Sequence, residues 1–556
     1  MPDNLIERYL ADLGEIHRTG AHVAETSFYP ALERLLSDIG KSLSPKVRCV
    51  INIANRGAGL PDGGLFSADQ FRRKPRGEEA PEGAFPGQIP SRGVIEAKPP
   101  SADVLKLAAS EQVGRYWERY GTVLVTNFRA FAILGKNPSG QPRILEPFTL
   151  AESEAEFWRL IANPRSAAAS LGERLVEYLK RVLLHNTPLC APQDVAEILA
   201  SYAHDARLRM EHAEIPALAG LRQALEESLG MHFEGEKGEH FFRSTLVQTL
   251  FYGLFSAWVF WARRRDLKPI PKTAFADAIR TPASPYVVAG DFDWRSAHWL
   301  LRVPMIRALF VQIADPARLG PLGLIEVLDW AAAALNRVDR KAFFTSFDEG
   351  HAVQYFYEPF LQAFDPELRK DLGVWYTPEE IVRYQVERVD AVLRSELGLA
   401  DGLADPNVVV LDPCCGTGTY LRAVLRRIAE TLRDKGGDAL VANDLKKAAM
   451  ERVFGFEILP APFVISHLQL GLELESLGAP LTDRGNPPER VGVYLTNALT
   501  GWEPPKVPKT HVLFPEMEQE RDAADHIKRS DRILVIIGNP PYNGFAGIAV
   551  EEERDL

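Results

Sequence analysis

The stretch VVVLDPCCGTGTYLRAVLRRIAETL, residues 408–432, combines a strand, a glycine-rich turn and a helix. Its apolar β-branched opening predicts a buried strand, and Asp412 follows at the end of that strand. Gly416 and Gly418 predict a tight turn, after which a helix begins at about Tyr420. Because a helix N-terminus presents unpaired N–H groups, this arrangement favours an α/β domain with a ligand near the turn.

Three further strands in the same part of the chain end in polar residues. Glu457 ends the strand of VFGFEIL, and an acidic residue in that place can accept hydrogen bonds from both hydroxyls of a ribose. Asn497 ends the strand of VYLTNALT. In ILVIIGNPPYNG (533–544), Asn539 and Pro540 follow an apolar run, and the prolines require the chain to leave the sheet there.

The motifs DPCCGTG, GFEI, YLTNALT and NPPY, in this order, resemble those of the gamma-class adenine-N6 DNA methyltransferases. The preceding GVWYTPEEIVRYQV (373–386) resembles the motif that comes before them in that class, so five motifs span about 170 residues. The resemblance implies a Rossmann-like fold that uses S-adenosyl-L-methionine. The residues implied to bind this cofactor are Tyr376, Thr377, Asp412, Gly416, Gly418, Glu457 and Asn497.

The same resemblance implies a catalytic role for Asn539, Pro540 and Tyr542. An aromatic amine is a poor nucleophile because its lone pair is delocalised into the ring. The side-chain carbonyl of Asn539 and the backbone carbonyl of Pro540 can accept its two N–H groups and favour the pyramidal, nucleophilic form. Tyr542 offers a face on which a base flipped out of double-stranded DNA can stack.

A second group of candidate residues lies near the N-terminus, in GAGLPDGGLFSADQF (57–71) and GVIEAKPP (93–100). Asp62 at one strand end and Glu96-x-Lys98 on the next strand resemble the site of the PD-(D/E)xK nucleases. The resemblance implies that Asp62 and Glu96 bind Mg²⁺ and that Lys98 positions the attacking water. The ordinary alternative is an exposed Asp and a surface Glu–Lys pair.

Three more residues support the nuclease interpretation. Gln112 and Tyr116 form the Q-x-x-x-Y pattern found on the following helix in a subset of these nucleases. Glu25, on a helix predicted over 22–40, occupies the place of an additional acidic residue. Basic residues between the two motifs could contact DNA phosphates or belong to a solvated loop, and the same two alternatives apply to Arg263–Arg265. The basic loop residues are Arg72, Arg73, Lys74 and Arg76.

The whole chain has 556 residues, 46% of them hydrophobic and 25% charged, which are globular values. The patterns predict a nuclease domain over 1–150, an all-helical connector over 151–350 and an incomplete methyltransferase domain over 351–556. A run at 245–261 is too short for a typical membrane span and predicts a buried helix. Four cysteines without metal spacing, and an N-terminus unlike a signal peptide, indicate the cytoplasm.

A nuclease, a helical connector and a methyltransferase in one chain resemble the single-chain restriction–modification enzymes of type IIG. Type ISP enzymes differ because they contain a motor, and the P-loop pattern is absent here. The resemblance implies a phage-defence enzyme that cleaves and methylates DNA. Because few residues follow Tyr542, we expect a fragment or one half of a split enzyme, without its target-recognition domain. The alternatives are a DNA-binding scaffold subunit completed by a partner, or an RNA or protein N-methyltransferase.

Overall fold

A computed structural model describes residues 2–71, 89–136, 141–211, 216–229, 231–263, 291–301, 303–349, 356–366, 377–436, 438–482, 488–503, 515–540 and 548–550. Contacts divide the chain into two compact units, Met1–Leu189 and Cys190–Leu556. The helical stretch that the sequence predicts from residue 151 is thus divided between the units. The domain boundaries at residues 150 and 350 stay predictions.

The first unit is built on a mixed sheet of six strands that lie side by side in chain order. The third and fourth strands run parallel, and the other neighbouring pairs run antiparallel. The strands are β1 (Val47–Ile51), β2 (Gly63–Ser67), β3 (Val94–Ala97), β4 (Val123–Thr126), β5 (Ala130–Lys136) and β6 (Pro142–Thr149).

Helices cover both faces of this sheet. They are α1 (Pro2–Arg18), α2 (Tyr29–Lys41), α3 (Val104–Ala108), α4 (Glu111–Tyr120), α5 (Glu154–Leu160) and α6 (Pro164–Leu184). Since successive strand residues point to opposite faces, Ile95 and Ala97 of β3 pack in the core with α1, α2, α5 and α6. Val94 packs on the other face with α3 and α4, and Glu96 shares that face.

The second unit begins with a largely helical region, which differs from the predicted all-helical connector because it contains a short strand, Met231–Phe233. Its elements are α7 (Pro192–Glu211), α8 (Pro216–Leu229), β7 (Met231–Phe233), α9 (Gly235–Arg263), α10 (Ala297–Leu300), α11 (Pro304–Ile313), α12 (Pro316–Leu319), α13 (Leu324–Leu335), α14 (Arg340–Glu349) and α15 (Glu358–Phe364). Within the described residues, α9 alone is long and apolar enough to cross a membrane. The buried helix predicted over 245–261 lies inside α9, and 89% of its most apolar window is buried.

The second unit continues with alternating helices and strands, so the predicted α/β class is confirmed. The elements are α16 (Glu379–Ser395), β8 (Val409–Asp412), α17 (Thr419–Asp434), α18 (Asp438–Glu451), β9 (Val453–Glu457), α19 (Pro460–Ser476), β10 (Val493–Leu495), α20 (Pro515–Ser530), β11 (Ile533–Ile536) and β12 (Ile548–Val550). β12 pairs antiparallel with β7.

Strands β8 to β11 form a parallel sheet in the order β10-β9-β8-β11. The carboxyl ends of parallel strands meet at one edge of a sheet, so the polar residues that end these strands are brought towards one another. Among the described residues, β11 pairs with β8 and with no second strand. Its side chains Leu534 and Ile536 are 49% and 68% exposed, so this outer strand presents an apolar face to solvent.

Candidate functional sites

Asp62, Glu96 and Lys98 lie together in the first unit, as the sequence predicts. The antiparallel pairing of β2 and β3 places Asp62, just before β2, beside the end of β3. The Asp62 carboxylate is fixed there because its Oδ2 atom accepts a hydrogen bond of 2.8 Å from the Ala97 N–H. Lys98 Nζ lies 2.7 Å from Glu96 Oε1 and 3.9 Å from Asp62 Oδ2.

Gln112 and Tyr116 join this cluster from α4. Their four-residue spacing places both side chains on one face of the helix. Gln112 Nε2 donates to Glu96 Oε1 and to the hydroxyl oxygen of Tyr116, both at 3.0 Å. The Q-x-x-x-Y pattern therefore holds the same carboxylate oxygen of Glu96 that Lys98 contacts.

Glu25 also reaches the cluster, but from a different local structure than the sequence predicts. The helix predicted over 22–40 is wrong at its start, because α2 begins only at Tyr29. Pro30 stands in the first turn of α2, the place where the missing proline N–H is not needed, and it marks the true beginning. Glu25 precedes the helix, and its Oε1 atom lies 3.6 Å from Lys98 Nζ.

Tyr29 is a site residue that the sequence interpretation missed. Its hydroxyl donates a 2.8 Å hydrogen bond to Glu25 Oε1, and its side chain is buried. Burial and the neighbouring carboxylates of Glu25 and Asp62 raise the pKa of Tyr29 far above its usual value, so the phenol stays a donor. The available signal was the four-residue spacing between Glu25 and Tyr29, which would place both side chains on one face of the helix predicted over 22–40.

The cluster carries an unusual charge balance. Glu96 is only 1% exposed, and burial raises its pKa to about 7, opposed by the hydrogen bond from Lys98 and assisted by the charge of Asp62. Burial lowers the pKa of Lys98, but its hydrogen bond with Glu96 and the charges of Glu96 and Asp62 raise it overall. Lys98 is therefore a cation held among three carboxyl groups.

The donor set of this cluster fits Mg²⁺. Glu96 Oε2 is buried and has no hydrogen-bond partner, so one carboxylate oxygen lacks a stabilising contact. Mg²⁺ prefers oxygen ligands, uses one or two carboxylates and keeps several waters, which a pair such as Asp62 and Glu96 can satisfy. No group of three or more His, Cys, Asp or Glu side chains in the described ranges is arranged to hold a metal ion.

Most of the basic residues proposed to contact DNA lie outside the described residues. These are Arg72, Arg73, Lys74, Arg76, Arg264 and Arg265. Arg263 is described, and its guanidinium lies 3.3 Å from Glu475 Oε2 and over the ring of Phe344. The proposed contact of Arg263 with DNA stays a prediction.

In the second unit, the turn after β8 has the geometry that its glycines predict. Gly416 and Gly418 have φ angles of +54° and +88°, in the left-handed region that favours glycine, and α17 begins directly after them. Asp412 ends β8, and its Oδ1 atom accepts from the Cys414 N–H at 3.1 Å. Burial raises the pKa of Asp412 to about 7, opposed by this hydrogen bond and assisted by the charge of Glu457.

Glu457 connects the end of β9 to this turn. Its Oε2 atom accepts from the Gly416 N–H at 2.9 Å, and its Oε1 atom accepts from the Leu459 N–H at 2.7 Å. Burial nevertheless raises the pKa of Glu457 to about 7. The structure thus brings together two of the residues implied to bind the cofactor, although 41 residues separate them in sequence.

Asn497 lies two residues beyond the end of β10, beside Glu457. The Thr496 N–H donates to the Glu457 backbone oxygen at 2.8 Å, which joins the two strand ends. The side-chain oxygen of Asn497 accepts from the Leu499 N–H at 2.9 Å. Its Nδ2 atom is buried and has no hydrogen-bond partner, so this group can donate a hydrogen bond to a bound ligand.

Asn539 follows the end of β11 and contacts the predicted upstream motif. Its Nδ2 atom donates to Thr377 Oγ1 at 3.0 Å, a contact between residues 162 positions apart. The preceding Gly538 lies against the Asp412 carboxylate, where an added Cβ atom would collide with that side chain. Pro540 is exposed. Tyr376 and Tyr542 lie outside the described residues, so their proposed roles stay predictions.

These strand ends fit S-adenosyl-L-methionine. The unpartnered Asn497 Nδ2 atom is a donor for an acceptor nitrogen of a purine, and the Glu457 carboxylate is an acceptor for hydroxyl groups. No atom lies within 4 Å of the place where a Cβ of Gly416 would be, so there is room beside the turn. The residues present therefore suit the cofactor that the motifs imply.

Comparisons with solved structures gave distant matches. They include a cryo-electron microscopy structure of a DrdV–DNA complex (19% identity, 97% of this chain and 44% of that chain, TM-score 0.37). A second is the ATP-dependent type ISP restriction–modification enzyme LlaBIII bound to DNA (16% identity, 70% of this chain and 23% of that chain, TM-score 0.37). A third is the type IIG restriction endonuclease BpuSI (14% identity, 80% of this chain and 40% of that chain, TM-score 0.19). The chain spans less than half of each, and TM-scores this low carry no argument.

A comparison with protein-family models gave a more specific result, whereas no curated protein matched the sequence. Residues 349–473 match the model described as N-6 DNA Methylase. This stretch contains Thr377, the turn after β8 and Glu457. It includes six of the seven residues predicted to bind the cofactor, all except Asn497. The resemblance to adenine-N6 DNA methyltransferases is confirmed over residues 349–473, the stretch that matches this family model.

Proposed function

We propose that the second unit transfers a methyl group from S-adenosyl-L-methionine to the N6 atom of adenine in double-stranded DNA. The observation that carries this proposal is the convergence of polar residues at the carboxyl ends of four parallel strands. Asp412, Glu457, Asn497 and Asn539 each end or follow one of β8 to β11. The N-6 DNA methylase match over residues 349–473 supports the choice of reaction.

In this mechanism the chain's residues prepare the target amine. S-adenosyl-L-methionine, when bound, supplies the electrophilic methyl group. Asn539 and the backbone carbonyl of Pro540 accept hydrogen bonds from the two N–H groups of adenine, and the rigid proline holds this geometry before the base arrives. The contact between Asn539 Nδ2 and Thr377 Oγ1 fixes the plane of the amide.

The experiment is transfer of labelled methyl groups to duplex DNA, followed by mass analysis of the nucleosides. We expect N6-methyladenine, and we expect Asn539→Ala to abolish it. RNA and protein substrates are offered in parallel, because the NPPY motif also serves enzymes that methylate those substrates. Methylation of RNA or protein in preference to DNA would contradict the proposal, as would full activity of Asn539→Ala. The test includes any segment that follows Leu556 in the natural gene, supplied in cis or as a separate chain.

We further propose that the first unit cleaves DNA with Mg²⁺, which would make the whole chain a cytoplasmic restriction–modification enzyme of phage defence. The clustering of Asp62, Glu96 and Lys98 supports this proposal. Asp62 and Glu96 would hold the ion, which supplies charge stabilisation at the phosphate and favours ionisation of water. Lys98 positions the water, while Gln112 holds Glu96 in place.

Cleavage is tested on supercoiled plasmid with Mg²⁺, with Mn²⁺ and with a chelator. We expect Asp62→Ala and Lys98→Ala to lose cleavage without unfolding. Lys106→Ala is the matched control, because Lys106 is an exposed lysine of the same unit, away from the cluster. Undiminished cleavage by both site variants would contradict the nuclease assignment.

A further inference from the structure

Lys528 of α20 is a buried charged residue that no motif includes. Its side chain is 5% exposed. Its Nζ atom donates to Thr496 Oγ1 at 2.9 Å and to the backbone oxygen of Asn497 at 2.7 Å. The same ammonium lies 5.0 Å from the centre of the Phe456 ring, the residue that precedes Glu457. One cation therefore touches the ends of both β9 and β10.

A buried ammonium is costly unless hydrogen bonds and nearby electron density compensate for its lost hydration. An unbranched apolar side chain of similar length would fill the same space without that cost. The oxygen atoms of Thr496 and Asn497 and the face of Phe456 compensate for it here. A lysine at this place is explained if its hydrogen bond must fix the backbone of Asn497 in the proposed cofactor site.

A second charged residue of α20 acts on the same strand. Glu520 is 4% exposed and lies about two helical turns before Lys528. Its Oε1 atom accepts from the Leu495 N–H at 3.1 Å, and its carboxylate pairs with Arg490. Within the described sheet β10 is an outer strand, and these two side chains take hydrogen bonds that a neighbouring strand would otherwise take. α20 thus sets the position of the end of β10.

Asn497 is the residue on which this positioning acts. Its backbone oxygen is held by Lys528, and its side-chain oxygen is held by the Leu499 N–H. Its Nδ2 atom is buried without a partner. A donor fixed in this manner suits an acceptor nitrogen of an adenine ring, such as N1, and does not suit hypoxanthine, in which N1 carries a hydrogen.

We infer that Lys528 is a positioning residue for the adenine end of the cofactor site, acting through the backbone of Asn497. This inference rests on the proposed S-adenosyl-L-methionine-dependent function. It assigns to α20, a helix outside the motifs, a share in the recognition of the purine.

The test is calorimetric titration of the full chain with S-adenosylhomocysteine, adenosine and inosine. Lys528→Met keeps the length of the side chain and removes the ammonium. We expect binding of S-adenosylhomocysteine and adenosine to weaken by the same factor, about tenfold. We also expect the preference of the wild-type chain for adenosine over inosine to fall towards one, because the Asn497 donor is no longer fixed. A merely structural role would leave that preference unchanged.

Lys446→Met is the matched control, since Lys446 pairs with Glu489 and contacts none of the strand-end residues. We expect it to bind all three ligands like the wild-type chain. Thr496→Val provides a second variant if Lys528→Met unfolds, because it removes one acceptor of Lys528, and about threefold weaker binding of adenosine is expected. Unfolding midpoints are measured for every variant.

The outcomes separate this inference from the proposed function. Absence of S-adenosylhomocysteine binding by the wild-type chain would overturn the proposed function together with this assignment. Wild-type binding with unchanged affinity in Lys528→Met would overturn the assignment alone. Weaker binding in Lys528→Met with an unchanged ratio of adenosine to inosine affinity would also overturn it.

Discussion

At the scale of single residues, the phenol of Tyr29 determines how the acidic cluster of the first unit is held. Glu25 contacts Lys98 and accepts the Tyr29 hydroxyl, and Asp62 is tied to β3 by the Ala97 N–H. Each of these two carboxylates therefore has a fixed hydrogen-bond partner within the unit. Preorganisation of this kind lowers the cost of bringing like charges together around an ion.

We predict that Tyr29→Phe raises the Mg²⁺ concentration that gives half-maximal cleavage by about threefold to tenfold, because Glu25 loses a hydrogen bond. Metal binding measured by calorimetry with Mn²⁺ should weaken in parallel. Tyr120→Phe is the control, since the buried Tyr120 hydroxyl has no hydrogen-bond partner. Equal Mg²⁺ dependence of the two variants would exclude a role for Tyr29.

A second residue-scale prediction concerns Glu457. We expect Glu457→Ala to weaken S-adenosyl-L-methionine binding at least tenfold, because each hydrogen bond to a charged acceptor is worth about 1.5 kcal/mol or more. The loss also releases the Gly416 N–H, which Glu457 holds at 2.9 Å. Glu451→Ala, on the exposed end of α18, should bind normally. Calorimetry measures both, and wild-type affinity in Glu457→Ala would remove this residue from the site.

At the scale of secondary-structure elements, Gly455 lets the turn after β8 and the start of α17 pack directly on β9. A Cβ atom at position 455 would lie 2.6 Å from Leu421 Cδ1 and 2.9 Å from Cys415 Sγ. These contacts are shorter than van der Waals distances, so the side chains of Leu421 and Cys415 must shift to admit any larger residue at position 455. The close packing of the turn after β8 on β9 thus depends on a glycine in the neighbouring strand.

We predict that Gly455→Val lowers the free energy of unfolding by about 1–3 kcal/mol through this overpacking. Gly471→Ala is the contrasting variant, because no atom lies within 4 Å of the added Cβ in α19. It should be neutral or stabilising by up to about 1 kcal/mol, since alanine favours a helix interior. Chemical denaturation measures both changes. A neutral Gly455→Val would mean that the turn is not packed as described.

The same scale explains what the sequence could predict. The strands β8, β9 and β11 are short apolar runs followed by polar, glycine or proline residues. Such local patterns predict strands from the sequence alone. The extent of β2 (Gly63–Ser67) is not readable in this way, because its two leading glycines have low strand propensity. Tyr29 and Lys528 were missed for different reasons: the first belongs to no known motif, and the second contacts residues 31 and 32 positions away. Contacts between distant residues leave no periodic signal.

At the scale of the whole molecule, the second unit buries two carboxyl groups, those of Asp412 and Glu457, whose pKa values are raised. Their pKa values rise from 3.8 and 4.5 to about 7 on folding, mainly through burial. The folded chain therefore holds these protons more tightly than the unfolded chain. The stabilisation is present below pH 4 and is lost as the pH rises towards 7.

We predict that, without cofactor, these two groups make the second unit less stable as the pH rises from 5 to 8. Glu457→Gln, which stays neutral, should reduce this slope, whereas Glu451→Gln should leave it unchanged. The measurement is the denaturation midpoint of the second unit's transition at several pH values. A slope that is identical in the wild-type chain and in Glu457→Gln would show that Glu457 is ionised throughout.

The hydrogen bond between Thr377 and Asn539 also bears on the order in which the parts of the proposed site form during protein synthesis. The two residues are 162 positions apart, so at ordinary rates of protein synthesis roughly 8 to 30 s pass between their appearance on the ribosome. During that interval the residues at the ends of β8, β9 and β10 are synthesised, but Lys528, which holds the Asn497 backbone, appears only 11 positions before Asn539. The strand-end residues proposed to bind the cofactor and the residue proposed to receive the adenine are therefore completed almost together, once α20 and β11 have both been synthesised.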